Sequence, residues 1–422
     1  MFNSLTTQWK SRLTRFLPGQ LVVQITDRCN ATCPQCSMRV TEKFTRSSLT
    51  RKQMEQIMDA AGTKKIKAIS FTGGEPFIMA DDLMQYMKRA GDKKIPFIRT
   101  GTNGFYFTGS HRPGFRDKVS RLAERLAATP VRNFWISIDS SDPELHGQMR
   151  GFDNLFEGIA RALPIFQDAG IYPSVNLGIN RNLGGAATRD LYREDFSSEK
   201  EWKTAVYQTY RKAFGQFYET VIDLGFTIAN ACYPMSVDET STDLDPVYQA
   251  SAVDRVIRFT RTEKAQIFKA LSDTIPEYRS RIRIFSPRVS LHALVNEYSG
   301  QTDTSYPCLG GISYFFIDSA SGDTFPCGYR GHDNFGKFHE SGRALDLNSS
   351  PCRRCDWECF RDPSELIGPV LDLLTAPGSL LKKIFSDPVR FRLWAQDLLY
   401  YRACDYFNGR KAPDYKKLGR FS

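Results

Sequence analysis

The chain has 422 residues, 41% of them hydrophobic and 13% aromatic. That length exceeds one ordinary core, so a large domain with a smaller one is expected. The formal net charge of +10 suits anionic partners, but no long Lys/Arg run is present, so it does not point to nucleic acid. No apolar run approaches the roughly 20 residues of a membrane span. Lys10, Arg12 and Arg15 interrupt any secretory-signal core near the start. Ten cysteines are too few for a secreted disulfide scaffold of this size. Their clustering argues for metal in a reducing cytoplasm.

In chain order, residues 1–20 form an N-terminal extension. There Trp9, Leu13, Phe16 and Leu17 are interspersed with basic residues. Such a segment could lie peripherally on a membrane or pack on its own protein. Strand-like runs follow at 21–26, 68–72, 97–100, 133–139, 172–179 and 227–233. Amphipathic helix patterns lie between them at 49–61, 81–90, 116–128, 155–169 and 199–224. In the first, Leu49, Met54, Ile57 and Met58 recur at helical spacing after a Ser48 cap. This alternation gives a parallel α/β sheet with covering helices. Residues 180–200 read as a polar loop or lid, and 235–246 as a second polar stretch. A helix is expected at 253–275. Short strands, Gly turns and cysteines begin at Tyr306. From 362 the texture is helical again, with Leu371, Leu374, Leu380 and Ile384 on apolar faces.

Two motifs carry chemistry. Cys29, Cys33 and Cys36 form a C-x3-C-x2-C triplet just after the first strand. Three close thiolates can hold three corners of a 4Fe–4S cubane and leave the fourth iron open. Gly73-Gly74-Glu75-Pro76 closes the second strand, where glycine permits close backbone approach to a ligand. In this order and spacing they resemble the radical S-adenosylmethionine (SAM) superfamily, over about residues 21–223. The resemblance implies a partial (β/α)6 barrel over 21–235. It also implies SAM on the open iron, reductive cleavage to a 5′-deoxyadenosyl radical, and hydrogen abstraction from an organic substrate. An electron donor such as flavodoxin or ferredoxin would be needed.

By the same resemblance, Gly73, Gly74 and Glu75 would hold the methionyl end of SAM, Glu75 accepting from its ammonium. Asn103 stands in a Thr-Asn-Gly turn like the family's. Ser137 and Asp139 are candidates for ribose and carboxylate contacts, Arg150 for the SAM carboxylate, and Asn176 for the ribose. Gln35 precedes the third cysteine where aromatic residues often stack on adenine, so no such role is assigned to it.

The second cysteine group is Cys308, Cys327, Cys352, Cys355 and Cys359. Its C-x13-G-x4-C opening, with Gly322, resembles the SPASM and Twitch domains that hold auxiliary clusters. A helical connector at 236–305 would lead into this domain at 306–361, followed by a helical extension at 362–422. Ten cysteines less three leaves seven, short of the eight that two all-cysteine auxiliary cubanes require. One auxiliary 4Fe–4S cluster follows, on Cys308, Cys327, Cys352 and Cys355, with Cys359 an alternate ligand or a spare thiol. Cys232, ending the sixth strand, could donate hydrogen to a substrate radical or be a small buried hydrophobe. The substrate class stays open between small molecule and peptide. The competing reading is a non-catalytic iron–sulfur electron carrier or a zinc-scaffolded binding protein.

Overall fold

The computed structural model describes residues 19–41, 45–234, 244–248, 250–251, 254–301, 305–340 and 352–421. The basic, aromatic start of the chain and most of the polar stretch at 235–246 lie outside these residues.

Seven parallel strands form one curved sheet: β1 (Gly19–Thr26), β2 (Ile66–Gly73), β3 (Phe97–Thr102), β4 (Asn133–Ser137), β5 (Ser174–Gly178), β6 (Ile228–Cys232) and β7 (Arg283–Ile284). The first six match the expected strands to within a few residues at each end. Their outward side chains (Leu21, Ile69, Ile98, Phe134, Ile136, Val175) join the main apolar core with the covering helices.

β7 was not expected. It follows the Arg261–Tyr278 helix, which begins later than the sequence pattern suggested. Thr260 and Glu263 form a capping box there, so the helix starts where its free N–H groups find acceptors. The expected Ser48 cap is likewise replaced. Thr50 caps the Arg51–Thr63 helix, and the Ser48 hydroxyl meets Thr26 Oγ1 at 2.7 Å. The stretch at 180–200 is partly ordered into a short helix, Ala186–Arg189, and a 3-10 turn, Arg193–Asp195.

Two further strands alter the expected division of the chain. β8 (Tyr314–Ile317) and β9 (Thr324–Phe325) form an antiparallel hairpin. β8 pairs in parallel with β1, Gln20 opposite Tyr314 and Val23 opposite Ile317. The cysteine-rich region therefore continues the barrel sheet, in the order β7-β6-β5-β4-β3-β2-β1-β8-β9. A second core of Val22, Tyr314, Phe316, Tyr329, Trp357 and Phe360 joins the hairpin to the inner face of β1.

The Glu358–Thr375 helix lies across the gap left by the incomplete barrel. Gln20 Nε2 donates to the Cys359 carbonyl at 3.1 Å, and the Tyr233 N–H donates to Glu358 Oε2 at 3.3 Å. Farther on, Leu374 is exposed rather than core-facing, as are Leu373, Leu381 and Phe385. No described helix is long and apolar enough to cross a membrane. The Pro388–Ala403 helix packs beneath the barrel, where Asp397 takes Arg279 Nη2 at 2.5 Å and the Val289 N–H at 2.9 Å. Both members of this ion pair are buried. Asp397→Ala leaves the Arg279 charge without a partner, so it should cost about 3–5 kcal/mol. Denaturant unfolding of the full chain measures this.

Candidate functional site

The cysteine loop begins at the C-terminal end of β1 and is tied down on three sides. Arg46 donates to the carbonyls of Asp27 (2.8 Å), Met38 (3.1 Å) and Arg39 (2.6 Å), drawing the two ends of the loop together. The Thr32 N–H donates to the Arg150 carbonyl at 3.1 Å. The Gly74 and Glu75 N–H groups donate to the carbonyls of Thr26 (2.9 Å) and Arg28 (2.8 Å).

That last contact shows what the two glycines do. A Cβ on Gly73 would meet the Thr26 oxygen at 2.0 Å, and one on Gly74 the Arg28 oxygen at 2.1 Å. Gly73 also has φ +147°, a region that favours glycine. The close approach is to the backbone entering the cysteine loop, not only to a ligand. Glu75 is fully buried and accepts from Phe77 N–H (3.0 Å) and Asn103 N–H (2.6 Å). It locks the β2 turn to the β3 turn. Burial pushes its carboxyl up to about 7, against the pull of these two donors. Asn103 completes the lock by donating to Asn30 Oδ1 at 2.8 Å and weakly to Cys29 Sγ at 3.8 Å.

Burial raises the Cys29 thiol and pushes those of Cys33 and Cys36 up to about 12, while the Arg150 charge opposes the rise at all three. The fields of Cys29 and Cys33 both act on Cys36. Three neighbouring thiols, costly to ionise alone, fit a bound cationic cluster that would compensate their charge. Arg150 itself is not free, as was expected of a SAM-carboxylate ligand. Its guanidinium meets Asp139 Oδ2 at 2.6 Å, and both residues are buried. Asp139 also accepts from Gln35 Nε2 at 2.8 Å. Gln35, given no role on sequence grounds, thus anchors the loop to β4's end. Buried Arg and Asp side chains pair because neither charge is tolerated alone.

Ser137, Asn176 and Cys232 share the inner face of the sheet. Ser137 is in register with Asn176, and Asn176 with Asn230. Asn230 Nδ2 donates to Asn176 Oδ1 (2.9 Å), and Asn176 Nδ2 donates to Cys232 Sγ (3.1 Å). Asn176 is therefore already committed to Cys232 and Asn230. Burial and the neighbouring Glu358 and Cys359 raise the Cys232 thiol well above its usual range. The Tyr248 hydroxyl lies 3.1 Å from Thr72 Oγ1, within the fields of Cys359, Cys36 and Cys232. Tyr248 thus stands near both the cysteine loop and the start of the Glu358–Thr375 helix.

Beyond that helix, Cys308, Cys327, Cys352 and Cys355 line one pocket with Arg330, Arg354, Trp357 and Arg361. The Cys308 N–H donates to the Cys352 carbonyl at 2.9 Å. The Gly310 and Tyr329 N–H groups approach the Cys308 and Cys327 sulfurs at 3.4 Å. Such donors stabilise and tune cluster thiolates. Cys359, the expected alternate ligand, does not line this pocket. At the helix start it turns toward the barrel, 3.6 Å from Glu358 Oε1. Among the described residues no three His, Cys, Asp or Glu side chains are grouped to hold a single metal ion.

Comparison with known proteins agrees with this geometry. Residues 23–180 match the Radical SAM superfamily model, and the chain carries a radical SAM domain. It is 26% identical to the GTP 3′,8-cyclase of Rhizobium leguminosarum bv. trifolii (strain WSM2304) over 249 residues, 57% of this chain and 65% of that protein. It is 22% identical to the AdoMet-dependent heme synthase of Methanosarcina barkeri (strain Fusaro / DSM 804) over 316 residues, 74% of this chain and 77% of that one. The chain thus spans 65% of the length of the cyclases it matches. The solved structure "Native anSMEcpe with bound AdoMet" superposes with a TM-score of 0.50 at 15% identity, covering 90% of this chain and 100% of that chain. At that identity the likeness concerns the fold.

Glu75→Ala should do more than remove a ligand contact. It strands two buried N–H groups, each costing about 1–3 kcal/mol. Lower thermal stability is expected together with weaker SAM binding, read by calorimetry. Weaker SAM binding at wild-type stability would restore a purely ligand-facing role.

Proposed function

We propose that this protein is a radical SAM enzyme that abstracts hydrogen from an organic substrate held inside the barrel, with one auxiliary 4Fe–4S cluster. The observation that carries the proposal is the three-thiol loop at the end of β1, hydrogen-bonded to the Gly73-Gly74-Glu75 turn. Cys29, Cys33 and Cys36 would hold the first cluster. Bound together, a reduced cluster and SAM supply a 5′-deoxyadenosyl radical that takes hydrogen from carbon.

The chain's own work is to bind, orient and exclude water. The turns at Gly73–Glu75 and Asn103 would bracket the methionyl end of SAM. Ser137, Asp139 and Arg150 would line the side toward the ribose and carboxylate. Asn176 and Cys232 face the substrate space, with Cys232 the candidate hydrogen donor. Cys308, Cys327, Cys352 and Cys355 would hold the auxiliary cluster, serving as electron acceptor, relay or substrate anchor. We take 21–235 as the barrel, 236–305 as a connector and 306–361 as a SPASM/Twitch-like unit.

No disulfide joins any of the ten cysteines, which accords with the reducing, cytoplasmic setting we assign; the electron donor would be of flavodoxin or ferredoxin type. The substrate is a small molecule or a peptide. The exposed Leu373, Leu374, Leu381 and Phe385 support peripheral membrane contact by the C-terminal helices.

Anaerobic reconstitution should give about eight iron per chain, from two cubanes. Replacing Cys29, Cys33 and Cys36 by Ala should leave about four. Cys359→Ala should keep the full complement, whereas Cys355→Ala should lose the auxiliary share. Zinc alone in the second site would reject the auxiliary-cluster part of the reading.

The activity test is 5′-deoxyadenosine release from SAM by the reduced, reconstituted protein. Release is expected for the wild type and abolished in the Cys29/Cys33/Cys36 triple variant. A folded, iron-replete wild type that releases none would be an electron carrier instead.

A further inference from the structure

On the inner face of the barrel, Arg99 has aromatic neighbours but no carboxylate partner among the described residues. On β3, Ile98 packs outward into the main core, so its neighbour Arg99 points the other way, into the barrel. The guanidinium lies 5.8 Å from the Trp135 ring centroid and 5.3 Å from that of Phe285. Trp135 leans over Gly101, where a Cβ would meet the indole at 2.1 Å. The Arg99 charge also reaches the Cys359 thiol on the opposite wall.

Among the described residues no carboxylate pairs with Arg99; its Nε is buried without an acceptor, as are those of Arg150, Arg279, Arg361 and Arg390. Five interior cations do have a carboxylate, and the buried Arg283 is held instead by oxygens of Thr227 and Asn408. Arg150 pairs with Asp139, Lys264 with Asp356, Arg279 with Asp397, Arg361 with Glu297 and Arg390 with Glu365. Glu358, at the start of the Glu358–Thr375 helix, accepts from the Tyr233 N–H and the Cys359 thiol.

Arg99 is only partly exposed, and a guanidinium partly withdrawn from water is stabilised by whatever compensates its charge. Two aromatic rings supply part of that compensation and hold the fork in place. They leave its planar N–H edge for a bidentate acceptor, which a carboxylate or phosphate provides. Asn176, Asn230 and Cys232 furnish uncharged polar groups on the same face.

We propose that the barrel interior takes a substrate bearing an anionic oxyacid group, a carboxylate or a phosphate, and that Arg99 receives that group. This deepens the radical SAM reading and rests on it for the place of the reaction. The binding itself can be tested without turnover.

The experiment uses the full, anaerobically reconstituted protein and phenylglyoxal, which modifies unpaired arginines, with peptide mass mapping. Succinate, inorganic phosphate and pyrophosphate are the probes. Arg99 should be labelled in the free protein, and at least one probe should slow its labelling severalfold. Protection by succinate alone assigns a carboxylate; protection by the phosphates alone assigns a phosphate. In calorimetry the protecting anion should bind Arg99→Gln at least tenfold more weakly, with Arg99→Lys between.

An arginine serving only to staple Trp135 to Phe285 predicts otherwise. No anion would protect it, and both variants would melt well below the wild type. Either a lack of protection or equal anion affinity in Arg99→Gln overturns the proposal. Protection in a wild type that releases no 5′-deoxyadenosine would keep the anion site and remove the radical SAM reading instead.

Discussion

β1 is the strand on which the rest of the architecture hangs. It is hydrogen-bonded in parallel on both sides, to β2 over most of its length and to β8 from Gln20 to Val23. Its far end delivers the Cys29–Cys36 loop. Its second neighbour begins the hairpin that leads to Cys327, and its first residues hold the Cys359 carbonyl. An incomplete parallel barrel has an unpaired edge and an open interior. Pairing β8 onto that edge satisfies its backbone groups, and the Glu358–Thr375 helix covers the gap. One strand therefore sets the relative position of both cysteine groups.

The closure creates a polar interior, which only hydrogen bonding makes tolerable. Near the top, Asp139 neutralises Arg150 and Glu75 is satisfied by two backbone donors. In the middle, Asn176 bonds both Asn230 and Cys232. These groups rigidify the walls. Arg99 stands apart because its neighbours are rings rather than acceptors.

Much of the barrel was legible because its signals are local. Strand patterns, the cysteine triplet and the Gly-Gly-Glu-Pro turn each depend on a few consecutive residues. What was missed depends on contacts far apart in sequence. The pairing of Gln20 with Tyr314 and the turning of Cys359 toward Cys232 are of this kind. So is the pairing of Arg150 with Asp139. Glu75 shows the same limit: its position in the motif was plain, but its two backbone partners were not. A strand arginine such as Arg99 carries no sequence signal at all; a capping box at Thr260 and Glu263 did, and was available to be read.

The central claim is that two separate cysteine sets, held by the same strand, flank one interior chamber. The most direct measurement is an anomalous iron difference map from crystals of the anaerobically reconstituted protein. The account predicts two iron centres, one bounded by Cys29, Cys33 and Cys36, the other by Cys308, Cys327, Cys352 and Cys355. A single iron centre, or a second one ligated by Cys359 from within the barrel, would contradict it.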